Sequence, residues 1–398
     1  MSDNASALAK ARDTFARWFG DDYELDALYA ALAVAAVERF DDSSDTLWLL
    51  LVSGPGAAKT ETVQAFSGID ATVTSSIASE AALLSATPKR ERSKNATGGL
   101  LRKMGDSGVL VIKDVTSILS MNRDTRASVL AALREVYDRS WYREVGTDGG
   151  QTMEWKGRIA ILGAVTTAWD TAHSVVSAMG DRFVLVRIDS TTGRRAAGRQ
   201  AIRNTGSEAK MRAELAGAVH AVITAANTMN PTETTAAEEQ AVLDAANLVT
   251  LARTGVEYDY RGNVIDAHAP ELPTRFSKQL TQILRGGVAI GMDRADALRL
   301  AIRCARDSMP PLRLAIIDDL AQHPDSEAQK VRKRLDKPRS TVIRQLEALH
   351  MLGVVTVDER KYGEGRTQWF YSLDARTNPK ALDPKSCPDL SVHTPRPL

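Results

Sequence analysis

Cysteine is almost absent from this chain of 398 residues: Cys304 and Cys387 stand far apart, with no CxxC pair and no histidine partner nearby. That excludes a disulfide framework and a structural zinc site, and it fits a reducing compartment. Long hydrophobic runs are missing as well. The longest strongly apolar stretch, LWLLLV, is far too short to span a bilayer, and the opening MSDNASALAKARD carries no apolar core of a targeting segment. The expectation is a cytoplasmic protein with no membrane partner. The six histidines are scattered without metal-ligand spacing, and neither a GxSxG elbow nor a paired-carboxylate arrangement stands out. No internal repeat is found.

What is present is the composition of an ordinary globular protein, 43% hydrophobic and 25% charged, long enough for two or three domains. The net charge of +1 hides an uneven distribution. Residues 1–50 hold ten acidic against four basic side chains, and residues 330–344 hold seven basic against one acidic. The contrast points to a polyanion-binding end.

Residues 1–45 read as a helical segment, with Leu25, Leu28, Leu32 and Ala36 at helical spacing, capping the α/β segment after it. Over residues 46–192 short apolar runs alternate with helical stretches: LWLLLVS, ATVTSS, GVLVIKD, RIAILGAVT and RFVLVRI. This is the pattern of an α/β fold, a mostly parallel sheet covered on both faces. Residues 193–308 are alanine-rich and helical and read as a lid; residues 309–374 change to three helices and two strands around YGEGR, an α+β unit. The tail, 375–398, carries five prolines and few large apolar residues, which predicts disorder.

The stretch LLLVSGPGAAKTETVQ has the outline of a phosphate-binding loop GxxxxGK[ST], in which backbone N–H groups cradle phosphates, a lysine neutralises them and a hydroxyl holds magnesium. The loop follows an apolar strand and precedes a helix. The two fixed glycine positions are Ser53 and Ala58, while Gly54, Pro55, Gly56 and Ala57 lie between them, and Lys59, Thr60 and Glu61 follow. Alanine at a glycine-only conformation costs about 1 kcal/mol, which weakens a site without abolishing it. The alternative is a plain glycine-rich turn.

A nucleotide site also needs an acid at the end of a neighbouring strand. VLVIKD supplies Asp114, with Lys113 where a second acid is usual, so either the magnesium or the water-activating position is filled. Alternatively Asp114 only caps a strand. Thr166 and Thr167 end another apolar strand, Arg182 precedes the next, and Arg275 starts a lid helix. Taken singly, the two arginines read as a surface salt bridge and a helix-start cation.

In this order, SGPGAAKT, VLVIKD, the strand ending at Thr166, DRF and TRFSKQL resemble the Walker A, Walker B, sensor-1, arginine-finger and sensor-2 elements of AAA+ P-loop ATPases, over about residues 45–305. The alternating YREV and TMEW around GTDGG read as a β-hairpin on their own. Within the family that hairpin before sensor 1 resembles MCM-like helicases. The resemblance implies ATP and Mg²⁺ as ligands, Lys59 and Thr60 on phosphate and magnesium, Asp114 at the metal and Arg182 reaching a neighbouring subunit's γ-phosphate. It thereby implies a ring or partial ring, with a hexamer as the expected size.

In the basic end, Ser326 reads as a helix cap, followed by inward Ala328, Val331 and Leu335. RSTVIRQLEALHMLG buries Val342, Leu346, Leu349 and Leu352 and exposes Arg339, Ser340, Thr341, Arg344 and Gln345, where a recognition helix presents side chains to base edges. Lys330 and Lys333 lie on the preceding helix, and Arg360, Lys361 and Arg366 on the strands and their turn, in reach of phosphates. The segment resembles the winged helix-turn-helix of MarR-like and ArsR-like regulators, without a cysteine array for metal sensing. The competing reading is a winged helix used for protein contacts. The whole chain is similar to actinobacterial ATP-binding proteins with a C-terminal helix-turn-helix. The resemblances together imply a nucleoid-associated ATPase acting on double-stranded DNA. A regulator using nucleotide only as a switch, and a helicase or helicase-loader motor, are the rivals.

Overall fold

The five apolar runs become one parallel sheet. The strands are β1 (Trp48–Val52), β2 (Thr72–Thr74), β3 (Ser107–Ile112), β6 (Arg158–Val165) and β7 (Val184–Arg187), and their order is β2-β3-β6-β1-β7. A hairpin of β4 (Ser140–Val145) and β5 (Gln151–Lys156) precedes β6. The structure is a computed structural model and describes residues 2–41, 44–85, 98–145, 151–171, 182–229, 232–361 and 367–387. β1 is central: Trp48 pairs with Ile161 of β6 and Leu49 with Val184 of β7, and all five of its side chains are buried. Continuous apolar strands of this kind are what a sheet covered on both faces requires.

The chain divides into two units. The first holds residues 1–172, 181–233 and 282–300, the second 173–180, 234–281 and 301–398. The helical stretch 193–308, expected as a single lid, is therefore shared between them. In the first unit the helix Leu25–Val37 buries ten of its thirteen residues and packs on β1, β6 and β7. It is core rather than the expected cap, because an all-round apolar helix is stable only where every face is covered. The hairpin expected from alternation is formed, with Trp141 opposite Trp155 and both buried; its tip, 146–150, lies outside the described residues.

The second unit contains the helix Ala236–Arg253 and a hairpin of β8 (Val256–Tyr258) and β9 (Val264–Ala267). The helices Pro311–Gln322, Ala328–Leu335 and Arg339–Met351 follow, with a three-stranded sheet of β10 (Ser326–Glu327), β12 (Thr367–Leu373) and β11 (Val355–Lys361), in that order. Residues 375–387, expected as the start of a disordered tail, instead form two short 3-10 turns, Pro379–Leu382 and Pro384–Ser386. Leu382 is buried and its turn packs on the helix Ala236–Arg253, which gives the segment an apolar anchor. Residues 388–398 lie outside the described ones.

Candidate functional site

The loop 53–58 leaves the carboxyl edge of β1 and turns into the helix Lys59–Gln64. Two of its residues have positive φ: Gly56 at 86° and Ala58 at 56°, the second in the left-handed region that L residues avoid. The second glycine position thus needs glycine and has alanine, while Ser53, at the first, is free of that strain. Gly54 lies against Ser190, so that a Cβ there would come within 2.8 Å of Ser190 Oγ.

Lys59 is folded onto its own loop. Its Nζ donates to Ser53 O at 3.1 Å, Ser53 Oγ at 2.8 Å and Gly54 O at 2.8 Å, and only 8% of the residue is exposed. Burial pushes its pKa down, and the charge of Asp114 acts in the opposite direction. Asp114, just beyond β3, is exposed, and its Oδ1 accepts from Thr116 N at 2.9 Å. Thr166, just beyond β6, donates its backbone N–H to Thr116 Oγ1 at 3.1 Å, and the two hydroxyls are 3.4 Å apart. The strand ends therefore carry a linked group of Asp114, Thr116 and Thr166, of which Thr116 has no motif to mark it in the sequence. Thr60 is exposed. Among the described residues no group of three or more His, Cys, Asp or Glu is placed to hold a metal. Thr60 and Asp114 offer one hydroxyl and one carboxylate, the hard oxygen donors that Mg²⁺ takes alongside phosphate and water.

Glu61 is engaged differently from expectation. Arg212, on the helix Glu208–Ala225, donates to both its carboxylate oxygens, at 2.9 and 2.7 Å, tying that helix to the loop helix. Pro55, Gly56, Ala57, Ala58 and Glu61 line a cavity of about 510 Å³. Its other walls include Trp18, Tyr23 and the helix Arg194–Asn204. Tyr23 hydroxyl meets Thr62 Oγ1 at 2.8 Å, and burial pushes its pKa up. A volume of this size suits a small organic ligand.

Arg182 does not point freely outward. Its Nη2 donates to Asp138 Oδ2 at 3.1 Å, its guanidinium lies 5.5 Å from the Tyr137 ring centroid, and the residue is 8% exposed. Arg275 belongs to the second unit, where it donates to Glu271 Oε1 at 3.2 Å and Arg253 donates to Oε2 of the same carboxylate at 2.9 Å.

In the basic segment the helix Arg339–Met351 buries Val342, Leu346 and Leu349 as expected, with Leu352 buried just beyond it. Arg339, Ser340, Thr341 and Arg344 are exposed. Gln345 is not. It is half-buried and accepts from Arg313 Nε at 2.9 Å, while Arg313 Nη1 donates to Ala252 O and Thr254 O, each at 2.7 Å. A buried guanidinium needs acceptors, and Gln345 is recruited as one of them. Arg344 Nη2 donates to Arg261 O at 3.2 Å in the turn between β8 and β9. Gly262, at φ 81°, leaves space there for the guanidinium. Lys330 pairs with Glu327 at 3.2 Å; Lys333 and Lys361 are exposed. Arg360 is drawn into a pair of carboxylates, Asp325 and Asp358, and stacks on Phe370. It is therefore less available to phosphate than its place on the strand suggested. Arg366 lies outside the described residues. Ser326 is a buried strand residue whose Oγ donates to His323 O at 2.8 Å, and Glu327 takes the cap position instead.

Among the described residues no helix is long and apolar enough to cross a membrane. No protein-family model matches the chain, and no curated protein does. A solved structure described as "The A form apo structure of NrS-1 C terminal region-CTR" aligns over 92% of this chain and 75% of its own, at 10% identity and a TM-score of 0.28.

Proposed function

We propose that the chain is a DNA-binding ATPase of AAA+ type, with a winged helix in its C-terminal segment, that couples ATP binding and hydrolysis to self-association and to action on double-stranded DNA. The observation that carries the reading is the loop 53–60. It leaves the central strand of a parallel sheet, gathers a lysine, opens onto a cavity, and has Asp114 near enough to influence Lys59. In this reading the phosphates of the nucleotide replace Ser53 and Gly54 as acceptors for Lys59 Nζ, and the loop's N–H groups take the remaining phosphate oxygens. Thr60 and Asp114 hold Mg²⁺, which when bound neutralises charge building on the phosphates. Thr166 orients the attacking water, held in place by Thr116. Arg182, released from Asp138 on assembly, stabilises the transition state of a neighbouring subunit, and Arg275 has the sensor-2 role that the resemblance implies. The exposed start of the helix Arg339–Met351, with Lys330, Lys333 and Lys361 around it, binds the duplex as a ring or partial ring forms.

A second reading, a switch that binds nucleotide without turning it over, is favoured by Lys113 standing where a second acid is usual and by the three acceptors already satisfying Lys59. Steady-state ATP hydrolysis by the wild type and Lys59→Ala, with and without duplex DNA and across protein concentration, separates them. Turnover that rises with DNA and concentration and vanishes in the variant supports the ATPase. Tight DNA binding without turnover supports the switch.

A further inference from the structure

The helix Arg194–Asn204 breaks two local rules without a return among the described residues. Its sequence RRAAGRQAIRN has no acidic residue, and it buries no side chain. Arg194 and Arg195 sit in the first turn, where the helix dipole disfavours cations. Arg195, Arg199 and Arg203 follow one another at i, i+4 and i+8, which places three like charges along one face. All three are exposed, and among the described residues none has a hydrogen bond or ion pair. Arginines elsewhere in the same unit do pair: Arg158 with Glu38, Arg187 with Asp170 and Arg212 with Glu61. Ile202, on the same exposed side, is 76% accessible.

The opposite face of the helix is well anchored. Gln200 donates to Arg17 O at 3.1 Å, Asn204 donates to Trp18 O at 2.6 Å, and Ala197, Gly198 and Ala201 line the cavity beside the phosphate loop. These contacts fix the helix that carries the arginine stripe, and among the described residues nothing neutralises it. Such unreturned violations are expected at binding surfaces.

We propose that Arg195, Arg199 and Arg203 form a second, sequence-independent contact for the phosphate backbone of double-stranded DNA. This inference rests on the DNA-binding reading above, but it assigns a different surface. Consecutive arginines on the stripe are about 6 Å apart along the helix axis, so its roughly 12 Å length faces about seven phosphate charges of a duplex. Guanidinium groups bind phosphate oxygens in bidentate fashion, which suits a stripe composed only of arginine. Because the same helix walls the cavity, a nucleotide bound there bears on the position of the stripe.

The test is duplex binding across a salt series by fluorescence anisotropy, for the wild type, the triple variant Arg195→Gln/Arg199→Gln/Arg203→Gln, and Arg339→Ala. None of the three stripe residues packs in the core or lines the cavity, so the thermal midpoint and DNA-free ATP turnover of the triple variant stay at wild-type values. The expected result is affinity lowered at least tenfold on unrelated sequences, with the slope of log affinity against log salt reduced by about 2.7, for three lost phosphate contacts. An unchanged slope overturns the inference. If the slope is unchanged and sedimentation shows weaker self-association, the stripe faces a second copy of the chain and the inference also fails. Binding lost in Arg339→Ala but intact in the triple variant removes this inference and leaves the proposed function. The reverse result supports the stripe and removes the winged-helix assignment. A wild type that binds no duplex removes both.

Discussion

Lys59 Nζ donates to Ser53 Oγ at 2.8 Å, so the residue standing at the loop's first glycine position holds the loop's own lysine. A phosphate that binds must take Lys59 from three acceptors, and one of them exists only because position 53 is serine. Ser53→Gly leaves the two carbonyls and removes the hydroxyl. A charge-assisted hydrogen bond of this kind contributes about 1.5 kcal/mol, so nucleotide affinity is expected to rise roughly tenfold. Titration of a fluorescent ATP analogue measures it, and an affinity equal to or below wild type refutes the competition.

Ala58 carries the complementary strain. At φ 56° it sits where a Cβ costs about 1–2 kcal/mol, and glycine does not pay that penalty. Ala58→Gly is expected to raise stability by roughly 1 kcal/mol, part of the gain being lost to the more flexible unfolded chain. Denaturant midpoints decide it; a fall in stability would mean the surrounding loop holds this conformation for reasons other than residue 58.

The strands and the phosphate loop are legible in the sequence because each is a local pattern: a buried parallel strand is a continuous apolar run, and the loop is a fixed spacing on one segment. The hairpin of β4 and β5 is legible from alternation for the same reason. The features that escape the sequence depend on partners far away along the chain. Periodicity shows that a helix has an apolar face but not what covers it, which is why Leu25–Val37 reads as a cap. Gln345 reads as a base contact because its partner, Arg313, lies on another helix. Glu61 and Arg212 are 151 positions apart, and no motif links them. The wall formed by Trp18 and Tyr23 is remote from the loop in the same way.

Glu38 predicts a pH dependence. Its carboxylate accepts from Gly108 N at 3.0 Å and from Arg158 Nε at 3.4 Å, yet burial dominates and pushes its pKa up to about 7. The folded chain thus holds the proton more tightly than the unfolded one. The stabilisation is fully present below the ordinary glutamate range and is lost as pH rises through about 7. The loss amounts to on the order of 3 kcal/mol. In Glu38→Gln the decline between pH 5 and 8 should flatten, as followed by urea midpoints; a decline matching wild type assigns it to other groups.

Arg182 serves two readings that one variant separates. Its contacts with Asp138 and Tyr137 are structural, and Arg182→Ala should cost about 1–3 kcal/mol of stability through the unpaired surroundings it leaves. Nucleotide affinity should stay at wild type while turnover stops, and Asp138→Asn, which loosens the tether, should keep turnover. If Arg182→Ala hydrolyses ATP normally at every protein concentration, the arginine has only its structural role.

Two arginines of the basic segment should differ sharply in DNA binding. Arg344 is held by a single bond to the Arg261 carbonyl, a neutral acceptor that a base edge or phosphate readily outcompetes. Arg360 is held by two carboxylates, and leaving them for DNA would unpair both. Arg344→Ala is therefore expected to weaken binding at a preferred site by about 1–3 kcal/mol, with relaxed sequence preference. Arg360→Ala should leave affinity and preference where they are. Anisotropy titrations on preferred and scrambled duplexes check both, and equal losses for the two variants would mean that DNA pulls Arg360 from its carboxylates, so that the wing shares the contact with the helix.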